Sequence, residues 1–191
     1  MRTDKKKILV LLGSHGAGKT TLGLALPKGQ FSYYEELGRR LRSSVNCSVL
    51  CSCYLFDQEV MRQELERDEI LHSDIRLPIV ETWHIGNIAF ALARKSVAIA
   101  DQYLAVVRER IHAFCPSFIF LRISDLEFFK RASERRVDLT EVLSFYRAVE
   151  QRSLRLIRQL LGDESCVLFL ENNSDLKTSV NHIMEWRRLR P

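Results

Sequence analysis

The stretch GSHGAGKT, Gly13–Thr20, decides the fold of this chain. It follows the aliphatic run Ile8–Leu12, which is typical of a strand buried on both faces of a parallel sheet. It is followed by an apolar helical pattern over Lys19–Leu26 that closes before Pro27. The stretch fits G-x-x-x-x-G-K-[ST] at every fixed position, and strand, loop and helix come in the order that this motif requires. We therefore predict a phosphate-binding loop between the first strand and the first helix.

The loop predicts how a nucleoside triphosphate is bound. Glycines let successive backbone N–H groups face one anion, and the helix N-terminus adds partial positive charge. Lys19 is expected to reach the β- and γ-phosphates, and the Thr20 hydroxyl to bind Mg²⁺. ATP and Mg²⁺ are thus the expected cofactors, whereas the alternative is a glycine-rich turn that binds nothing. The predicted nucleotide contacts within this stretch are Gly13, Ser14, His15, Gly16, Ala17, Gly18, Lys19, Thr20 and Thr21.

Length and composition favour a globular protein. The 191 residues suit one domain spanning 1–191, and no composition shift or repeat argues for a second. The formal net charge of +5 suits an anion-binding protein, for which nucleic acid is a partner allowed but not favoured. The N-terminal apolar run is too short for a signal peptide, and no stretch is long enough to span a membrane. We expect a cytoplasmic protein without a membrane partner, and leave a homodimer open.

The order of apolar segments predicts an α/β protein. Short apolar runs alternate with helical patterns, which indicates a three-layer α/β/α arrangement around a five-stranded, mainly parallel sheet. The predicted strands are Ile8–Leu12, Phe31–Tyr34, Arg76–Glu81, Ser117–Ile123 and Cys166–Glu171. The predicted helices are Lys19–Leu26, Val45–Leu71, one long or two tandem helices over His84–Phe114, Asp125–Arg136, Val137–Leu161 and Asp175–Leu189. Ligands of such sheets bind at the carboxyl ends of the strands.

Acidic and basic residues near that edge point to phosphoryl transfer. The GTPase motifs N-K-x-D and D-x-x-G are absent from the sequence, which favours a small kinase. Glu81 ends a predicted strand and is a candidate base or holder of the metal, or else a solvated helix cap. The segment after the fourth strand carries Arg131, Arg135 and Arg136. We expect Arg131 and Arg135, four apart, to share a face that meets the triphosphate, with a solvated basic face as the alternative.

The cysteines do not suggest a metal site. Cys47, Cys51 and Cys53 are spaced C-x3-C-x-C, which matches no C-x2-C zinc pair. We interpret them as small apolar residues packed inside a helix. The odd total of five, without an export signal, indicates reduced thiols.

Three segments together resemble the P-loop kinase superfamily, in the branch of thymidylate kinases, deoxynucleoside kinases and nicotinamide riboside kinase-like ATPases. They are GSHGAGKTTL, FLRISDLEFFKRASERR and CVLFLENNSDLKTSVNHI, which follow the order of the loop, the fourth strand with the lid, and the last strand with its helix. The resemblance runs from end to end, but only the loop is a highly specific motif. It implies a phosphotransferase that uses ATP.

The resemblance also implies acceptor-side residues. In the family a glutamate after the second strand contacts the acceptor or acts as the base, and Glu35 and Glu36 stand there. Glu36 with Arg39 is similar to the E-x-x-R of the riboside kinase-like group. The helix that follows usually lines the acceptor pocket. Its candidates are Phe56, Gln58 and Arg62, with a surface helix carrying one core aromatic as the alternative.

The sequence departs from the family at two places. Thymidylate kinases carry an acidic residue where this loop has His15. They carry Asp-Arg, and deoxynucleoside kinases Glu-Arg-Ser, where this chain has Glu81 and Thr82. A lid arginine is then the expected stabiliser of the transition state. His15 and His84 are candidate acceptor contacts, with a loop or capping role as the alternative.

Three functions are consistent with these patterns. The first is a kinase that transfers the γ-phosphoryl group of ATP to a nucleoside, a nucleoside monophosphate or a similar small acceptor. The second is an ATP-binding or ATP-hydrolysing regulatory protein without a small-molecule acceptor. The third is a polynucleotide-end kinase, suggested by the net charge and the basic tail WRRLRP.

Overall fold

A computed structural model describes residues 5–44, 54–132, 139–162, 165–172 and 175–189. Its five strands are β1 (Lys6–Gly13), β2 (Phe31–Tyr34), β3 (Leu77–Glu81), β4 (Phe114–Arg122) and β5 (Val167–Glu171). The helices of the first half are α1 (Lys19–Ala25), α2 (Leu37–Ser44), α3 (Tyr54–Ser73) and α4 (Trp83–Ala93). Those that follow are α5 (Val97–Arg110), with a 3₁₀ turn over Ile111–Ala113, then α6 (Asp125–Ala132), α7 (Leu139–Leu161) and α8 (Leu176–Arg188).

The strands form one parallel sheet in the order β2-β3-β1-β4-β5. β1 lies in the centre, where Leu11 is in register with Glu81 of β3 and with Ile119 of β4. All pairs in this sheet are parallel, so the predicted α/β class is confirmed. The parallel arrangement brings the carboxyl ends of all five strands to one edge. The phosphate-binding stretch follows β1 at that edge, and Glu81 ends β3 there.

Two apolar cores cover the two faces of the sheet. Side chains alternate along β1: Ile8, Val10 and Leu12 pack into the larger core, whereas Leu9 and Leu11 pack into the smaller one. The larger core includes apolar residues of α3, α4, α5 and α7, and the smaller one includes residues of α1 and α8. This double burial explains why β1 is apolar at every position instead of alternating.

One helical segment was not predicted. The polar stretch Leu37–Ser44 is not among the predicted helices but forms α2, whose Leu37 is buried. The pattern over His84–Phe114 divides into the tandem helices α4 and α5, as the second alternative predicted. Lys95, with a φ of 63°, lies between them in the left-handed region, which ends α4. The three cysteines at 47, 51 and 53 lie outside the described residues.

β4 begins earlier than predicted and contains Pro116, which is in register with Ile8. The N–H of Phe118 donates to the carbonyl of Cys166, on the side of β5. The nitrogen of Pro116, two residues earlier, points to the same side before β5 begins. The missing donor of proline therefore costs no hydrogen bond in the ladder. Among the helices in the described ranges, none is long and apolar enough to cross a membrane.

Candidate active site

The phosphate-binding stretch forms a tight loop between β1 and α1. Gly13 and Gly18 have φ values of 135° and 92°, which favour glycine. A Cβ on Gly13 would lie 2.3 Å from the carbonyl oxygen of Leu121, and one on Gly18 would lie 2.4 Å from Nδ2 of Asn172. Asn172 also donates through Nδ2 to the carbonyl of Ala17, at 2.5 Å. The loop is thus held against the ends of β4 and β5, where only glycine fits.

Lys19 folds back across this loop. Its Nζ donates to the carbonyls of Gly13 at 3.0 Å and Ser14 at 3.1 Å, and the residue is only 8% exposed. The ammonium group is therefore fixed at the centre of the loop that the motif assigns to phosphate. Ser14 and His15 are half-buried, whereas Thr21 lies on the exposed side of α1.

A cluster of oxygen atoms lies beside the loop. The Thr20 hydroxyl donates to Oε1 of Glu81 at 2.7 Å, and Glu81 is 1% exposed. The hydroxyl of Tyr33 donates to the same Oε1. Arg39 donates from one guanidinium nitrogen to Oε2 of Glu81 and to the Thr20 hydroxyl, both at 2.9 Å. Arg39, predicted as an acceptor contact, thus lies against the predicted metal ligands Thr20 and Glu81.

The charges in this cluster support one another. Burial would lower the pKa of Arg39, but Glu81 and then Glu36 raise it above its ordinary value. Burial and the hydrogen bond to Glu81 raise the pKa of Tyr33, so its phenol remains a donor. The Thr20 hydroxyl and a carboxylate oxygen of Glu81 lie 2.7 Å apart, and oxygen atoms of these kinds are the ligands that Mg²⁺ prefers.

The backbone is strained where this cluster meets α4. Thr82 and Trp83 have φ values of 74° and 47°, a region that residues with a side chain rarely adopt. Strain of this kind is concentrated at functional sites, because surrounding contacts must hold it in place. These backbone angles turn the chain sharply after Glu81. The N–H of Thr82 donates to the carbonyl of Leu11 at 2.9 Å, which helps to hold the turn.

Glu36 connects the loop to a pocket formed by α2, α3, α4 and α5. It is 8% exposed and accepts a hydrogen bond from Arg42 at 2.9 Å. Burial would raise the pKa of Glu36, but Lys19, then Arg42 and Arg39, lower it below its ordinary value. Glu36 is therefore an ionised carboxylate next to the lysine of the loop. The pocket is lined by Glu36, Gly38, Arg42, Phe56, Asp57, Val60, Asn87, Phe90, Ala91, Arg94, Ile99 and Tyr103.

Only one of the three α3 residues predicted to line an acceptor pocket lies in it. Phe56 is buried there, whereas Gln58 and Arg62 lie on the exposed face. Arg62 instead pairs with Glu59 and Glu66, both at 2.5 Å. The reason is geometric: a residue two positions from Phe56 or from Val60 is rotated by about 200° around a helix. The inward face of α3 instead carries Asp57, Glu64 and Asp68.

Two further acceptor candidates lie away from this pocket. His84 is fully buried, with Nε2 2.8 Å from Oδ2 of Asp68 and Nδ1 2.6 Å from the hydroxyl of Tyr103. Its ring therefore connects α3 to α5 and does not line the pocket. Glu35 is exposed, and its carbonyl accepts a hydrogen bond from Arg67 at 2.7 Å. Its side chain lines a separate outer groove together with Arg62.

The segment after β4 approaches the phosphate loop. Arg131, in the last turn of α6, donates to the carbonyl of Gly16 at 2.8 Å and to Glu127 at 2.6 Å. Arg131 thus lies against the loop, and its predicted contact with the triphosphate stays a prediction. Arg135 and Arg136 lie outside the described residues.

Sequence reasoning missed most of the polar pocket lining, namely Arg42, Asp57, Asn87 and Arg94. Asp57 was detectable, because the apolar residues Phe56, Val60 and Leu71 mark the inward face of α3 and Asp57 adjoins them. Asn87 and Arg94 carried no such signal, since α4 is apolar on nearly every side.

No protein-family model matches the sequence, and no curated protein matches it. Solved structures match in fold. A deoxyadenosine kinase from M. mycoides with bound dATP has a TM-score of 0.61 at 13% identity, covering 95% of this chain and 99% of that one. A thymidylate kinase from Candida albicans has a TM-score of 0.61 at 13% identity, covering 97% and 92% of the two chains.

The NadR protein in complex with NR has a TM-score of 0.70 at 16% identity, and here the match covers 97% of this chain but 52% of that one. At identities this low, a structural match shows a shared fold and does not show a shared function. The chain therefore has the fold of the P-loop nucleoside kinases, and the resemblance predicted from the sequence is confirmed at that level.

Proposed function

We propose that this protein is an ATP-dependent kinase that phosphorylates a hydroxyl group of a nucleoside, a nucleoside monophosphate or a similar small acceptor. One observation carries the proposal: Glu36 is buried, lines a pocket together with aromatic and polar side chains, and has a pKa lowered by Lys19 of the phosphate loop and by Arg42 and Arg39, despite its burial. A purely regulatory nucleotide site would need no such carboxylate at the junction. The structural likeness to nucleoside and nucleotide kinases supports the same assignment at the level of fold.

The loop between β1 and α1 is the proposed binding site of ATP, the phosphoryl donor. Gly13–Thr20 is proposed to hold the phosphates through its backbone N–H groups, with Thr21 and the lid arginines as further contacts. Lys19 neutralises charge on the β- and γ-phosphates. Arg131, which already donates to the carbonyl of Gly16, is the proposed stabiliser of the transferring group, with Arg135 next along the lid.

Thr20 and Glu81 are the proposed holders of Mg²⁺, because their oxygen atoms lie together beside the loop. When bound, the ion would neutralise charge on the phosphate oxygens. Arg39 then has two roles: it fixes the Glu81 carboxylate and keeps positive charge next to the loop.

Glu36 is the proposed base. The acceptor hydroxyl oxygen forms a bond to the γ-phosphorus, the bond from that phosphorus to the leaving ADP breaks, and the hydroxyl proton passes to a carboxylate oxygen of Glu36. Its lowered pKa keeps the carboxylate unprotonated at neutral pH. Both oxygens of Glu81 accept hydrogen bonds, from Thr20 and Arg39, and Glu35 is exposed, so Glu36 is the carboxylate proposed for this step.

The test is a steady-state assay with ATP, Mg²⁺ and a panel of nucleosides and nucleoside monophosphates. We expect Lys19→Ala to lower kcat/KM by about 100-fold or more, because the lysine acts on the charge that develops in transfer. Lys28→Ala removes an exposed lysine beyond α1 and serves as the matched control with unchanged rates. Nucleotide binding with acceptor-independent hydrolysis, and no phosphorylated product from any panel member, would instead indicate a regulatory ATPase.

The pH profile tests the base. The pKa of Glu36 is lowered, so its carboxylate is deprotonated throughout pH 5–8 and kcat/KM is expected to show no acid limb in that range. Glu36→Gln is expected to lower kcat by about 10²- to 10⁴-fold while ATP binding is retained. An acid limb centred near pH 6 with an unphosphorylated nucleoside acceptor would argue against Glu36, whereas the phosphate of a monophosphate acceptor titrates in that range itself.

A further inference from the structure

Two rare backbone conformations directly follow Glu81. Thr82 has a φ of 74° and a ψ of −56°, the angles of a strained γ-turn, and Trp83 has a φ of 47°. The hydrogen bond from the Thr82 N–H to Leu11 fixes the nitrogen of Thr82 but not the rotation that comes after it. Residues with a side chain keep such conformations only where surrounding contacts hold them. The turn therefore needs contacts on its far side, beyond the sheet.

One buried carboxylate supplies contacts on that side. Asp68 of α3 is 4% exposed, and its Oδ1 accepts a hydrogen bond from the indole nitrogen of Trp83 at 3.2 Å. Its Oδ2 lies 2.8 Å from Nε2 of His84. Trp83 and His84 are consecutive and fully buried. Both oxygens of a single carboxylate thus hold the two residues through which the chain leaves the turn.

The hydroxyl of Tyr103 determines the direction of the second bond. Burial raises the pKa of Tyr103 well above its ordinary value, so its hydroxyl keeps the proton. This hydroxyl lies 2.6 Å from Nδ1 of His84, and by donating there it leaves the ring proton on Nε2, which faces Asp68. Asp68 therefore accepts two N–H hydrogen bonds. An amide side chain has only one accepting oxygen and could replace only one of them.

We propose that Asp68 is a positioning residue for Glu81. By holding Trp83 and His84 it fixes the turn after β3, and with it the direction of the Glu81 carboxylate towards the Thr20 hydroxyl. The inference rests on the proposed function, because it takes Thr20 and Glu81 to be the holders of Mg²⁺. Residues that orient metal ligands commonly change metal affinity by about 10- to 100-fold when they are replaced. Asp68 then determines how strongly Mg²⁺ supports nucleotide binding, although it lies on α3 and not in the phosphate loop.

The test measures nucleotide binding with and without the metal ion. The Kd of a non-hydrolysable ATP analogue is determined by calorimetry in EDTA and in Mg²⁺, and the ratio of the two values is the metal effect. We expect Asp68→Asn to lower this ratio by about tenfold while the Kd in EDTA stays unchanged. Glu81→Gln removes a proposed metal ligand and is expected to lower the ratio at least as much.

Glu64→Gln is the matched control. Glu64 is 1% exposed on the same helix, but it accepts hydrogen bonds from Arg67 and Asn87 instead of from the turn. Its variant is expected to be less stable than the wild type and to keep the wild-type ratio. An equal decrease of the ratio in Glu64→Gln and Asp68→Asn would make Asp68 a structural residue of the core only.

Thr82→Gly tests the strain itself. Glycine adopts positive φ values about as readily as negative ones, so a turn with glycine no longer depends on Asp68 to hold it. We expect the double variant Asp68→Asn, Thr82→Gly to recover most of the metal effect. A ratio as low as that of Asp68→Asn alone would show that Asp68 does not act through the turn, and would overturn the proposal.

Trp83→Phe covers the case in which Asp68→Asn fails to fold. It keeps an aromatic ring in the core and removes one of the two hydrogen bonds to Asp68. We expect a smaller decrease of the ratio, about threefold, as for the loss of one hydrogen bond. A folded Trp83→Phe protein with the wild-type ratio would overturn the proposal.

The failures of the two proposals are distinguishable. If Glu81→Gln lowers the ratio and Asp68→Asn does not, the positioning role fails and the metal assignment stands. If the ratio follows Asp68 but no member of the acceptor panel is phosphorylated, the kinase function fails and the positioning role stands. If neither variant lowers the ratio, Glu81 does not hold the metal and the role of Asp68 is overturned with it, while the acceptor panel still decides whether the protein is a kinase.

Discussion

At Gly18 the phosphate loop depends on two separate constraints, a left-handed backbone and the close approach of Asn172. Gly16 shares only the first, since its φ is 79° but a Cβ there would meet nothing closer than 3.8 Å. We expect Gly16→Ala to lower the free energy of unfolding by about 1 kcal/mol, the cost of a left-handed conformation. Gly18→Ala adds a collision with the Asn172 amide and is expected to cost about 2–4 kcal/mol.

Denaturant unfolding of the two variants measures this difference. Gly29→Ala is the control, because Gly29 has open space around its Cβ position. In the double variant Gly18→Ala, Asn172→Ala, the part due to collision should be recovered and the part due to backbone strain should remain. Equal costs for Gly16→Ala and Gly18→Ala would show that Asn172 does not restrain the loop.

At the scale of the element, α3 presents two kinds of arginine. Arg62 is on the exposed face with Glu59 and Glu66, whereas Arg67 is buried with Glu64 and also holds the carbonyl of Glu35. Arg62→Ala is expected to leave the free energy of unfolding nearly unchanged, because solvent screens an exposed ion pair. Arg67→Ala leaves the buried carboxylate of Glu64 without its cationic partner and is expected to cost about 3–5 kcal/mol.

Chemical denaturation of both variants tests the orientation of the helix. Acceptor KM should also be unchanged in Arg62→Ala, because Arg62 does not line the pocket. A large stability loss in that variant, or a small one in Arg67→Ala, would contradict the inward face assigned to α3.

The loop, the strands and the helix α2 show what the sequence could and could not establish. Local patterns were sufficient for the loop and the five strands, because glycine spacing and apolar runs depend on neighbours in sequence. They were insufficient for α2, in which polar residues dominate and tertiary pairs such as Arg39 with Glu81 supply contacts. Propensity is a weak prior for such a helix, and contacts distant in sequence decide it.

The side chains that line the pocket could not be predicted from the sequence for a related reason. Asp57 and Arg94 are 37 positions apart, and only the packing of α3 on α4 brings them together. The position of Arg39 on Thr20 and Glu81 likewise depends on the order of strands in the sheet. Patterns in a single sequence do not encode these pairings, so the loop after β1 was predictable from the sequence and the side-chain pairs around it were not.

At the scale of the whole molecule, Asp74 joins the edge strand β2 to the central strand β1. It accepts hydrogen bonds from the Tyr34 hydroxyl at 2.7 Å and the Arg76 N–H at 2.9 Å, and its carbonyl accepts from Lys6. Burial would raise the pKa of its carboxyl, but the Ser32 and Tyr34 hydroxyls and Arg76 lower it to about 2. The folded protein therefore stabilises the ionised carboxylate of Asp74 more than the unfolded chain does.

Acid unfolding should reveal this contribution. A lowered pKa stabilises the fold fully above the unfolded-state value of about 3.9, and that stability is lost as pH falls towards about 2. We expect the free energy of unfolding of Asp74→Asn to be lower than wild type at pH 6, and the difference to disappear progressively between about pH 4 and pH 2. Asp101→Asn, on the exposed side of α5, is the control and should leave the pH dependence unchanged. Parallel curves for wild type and Asp74→Asn down to pH 2 would mean that Asp74 does not link protonation to the stability of the sheet.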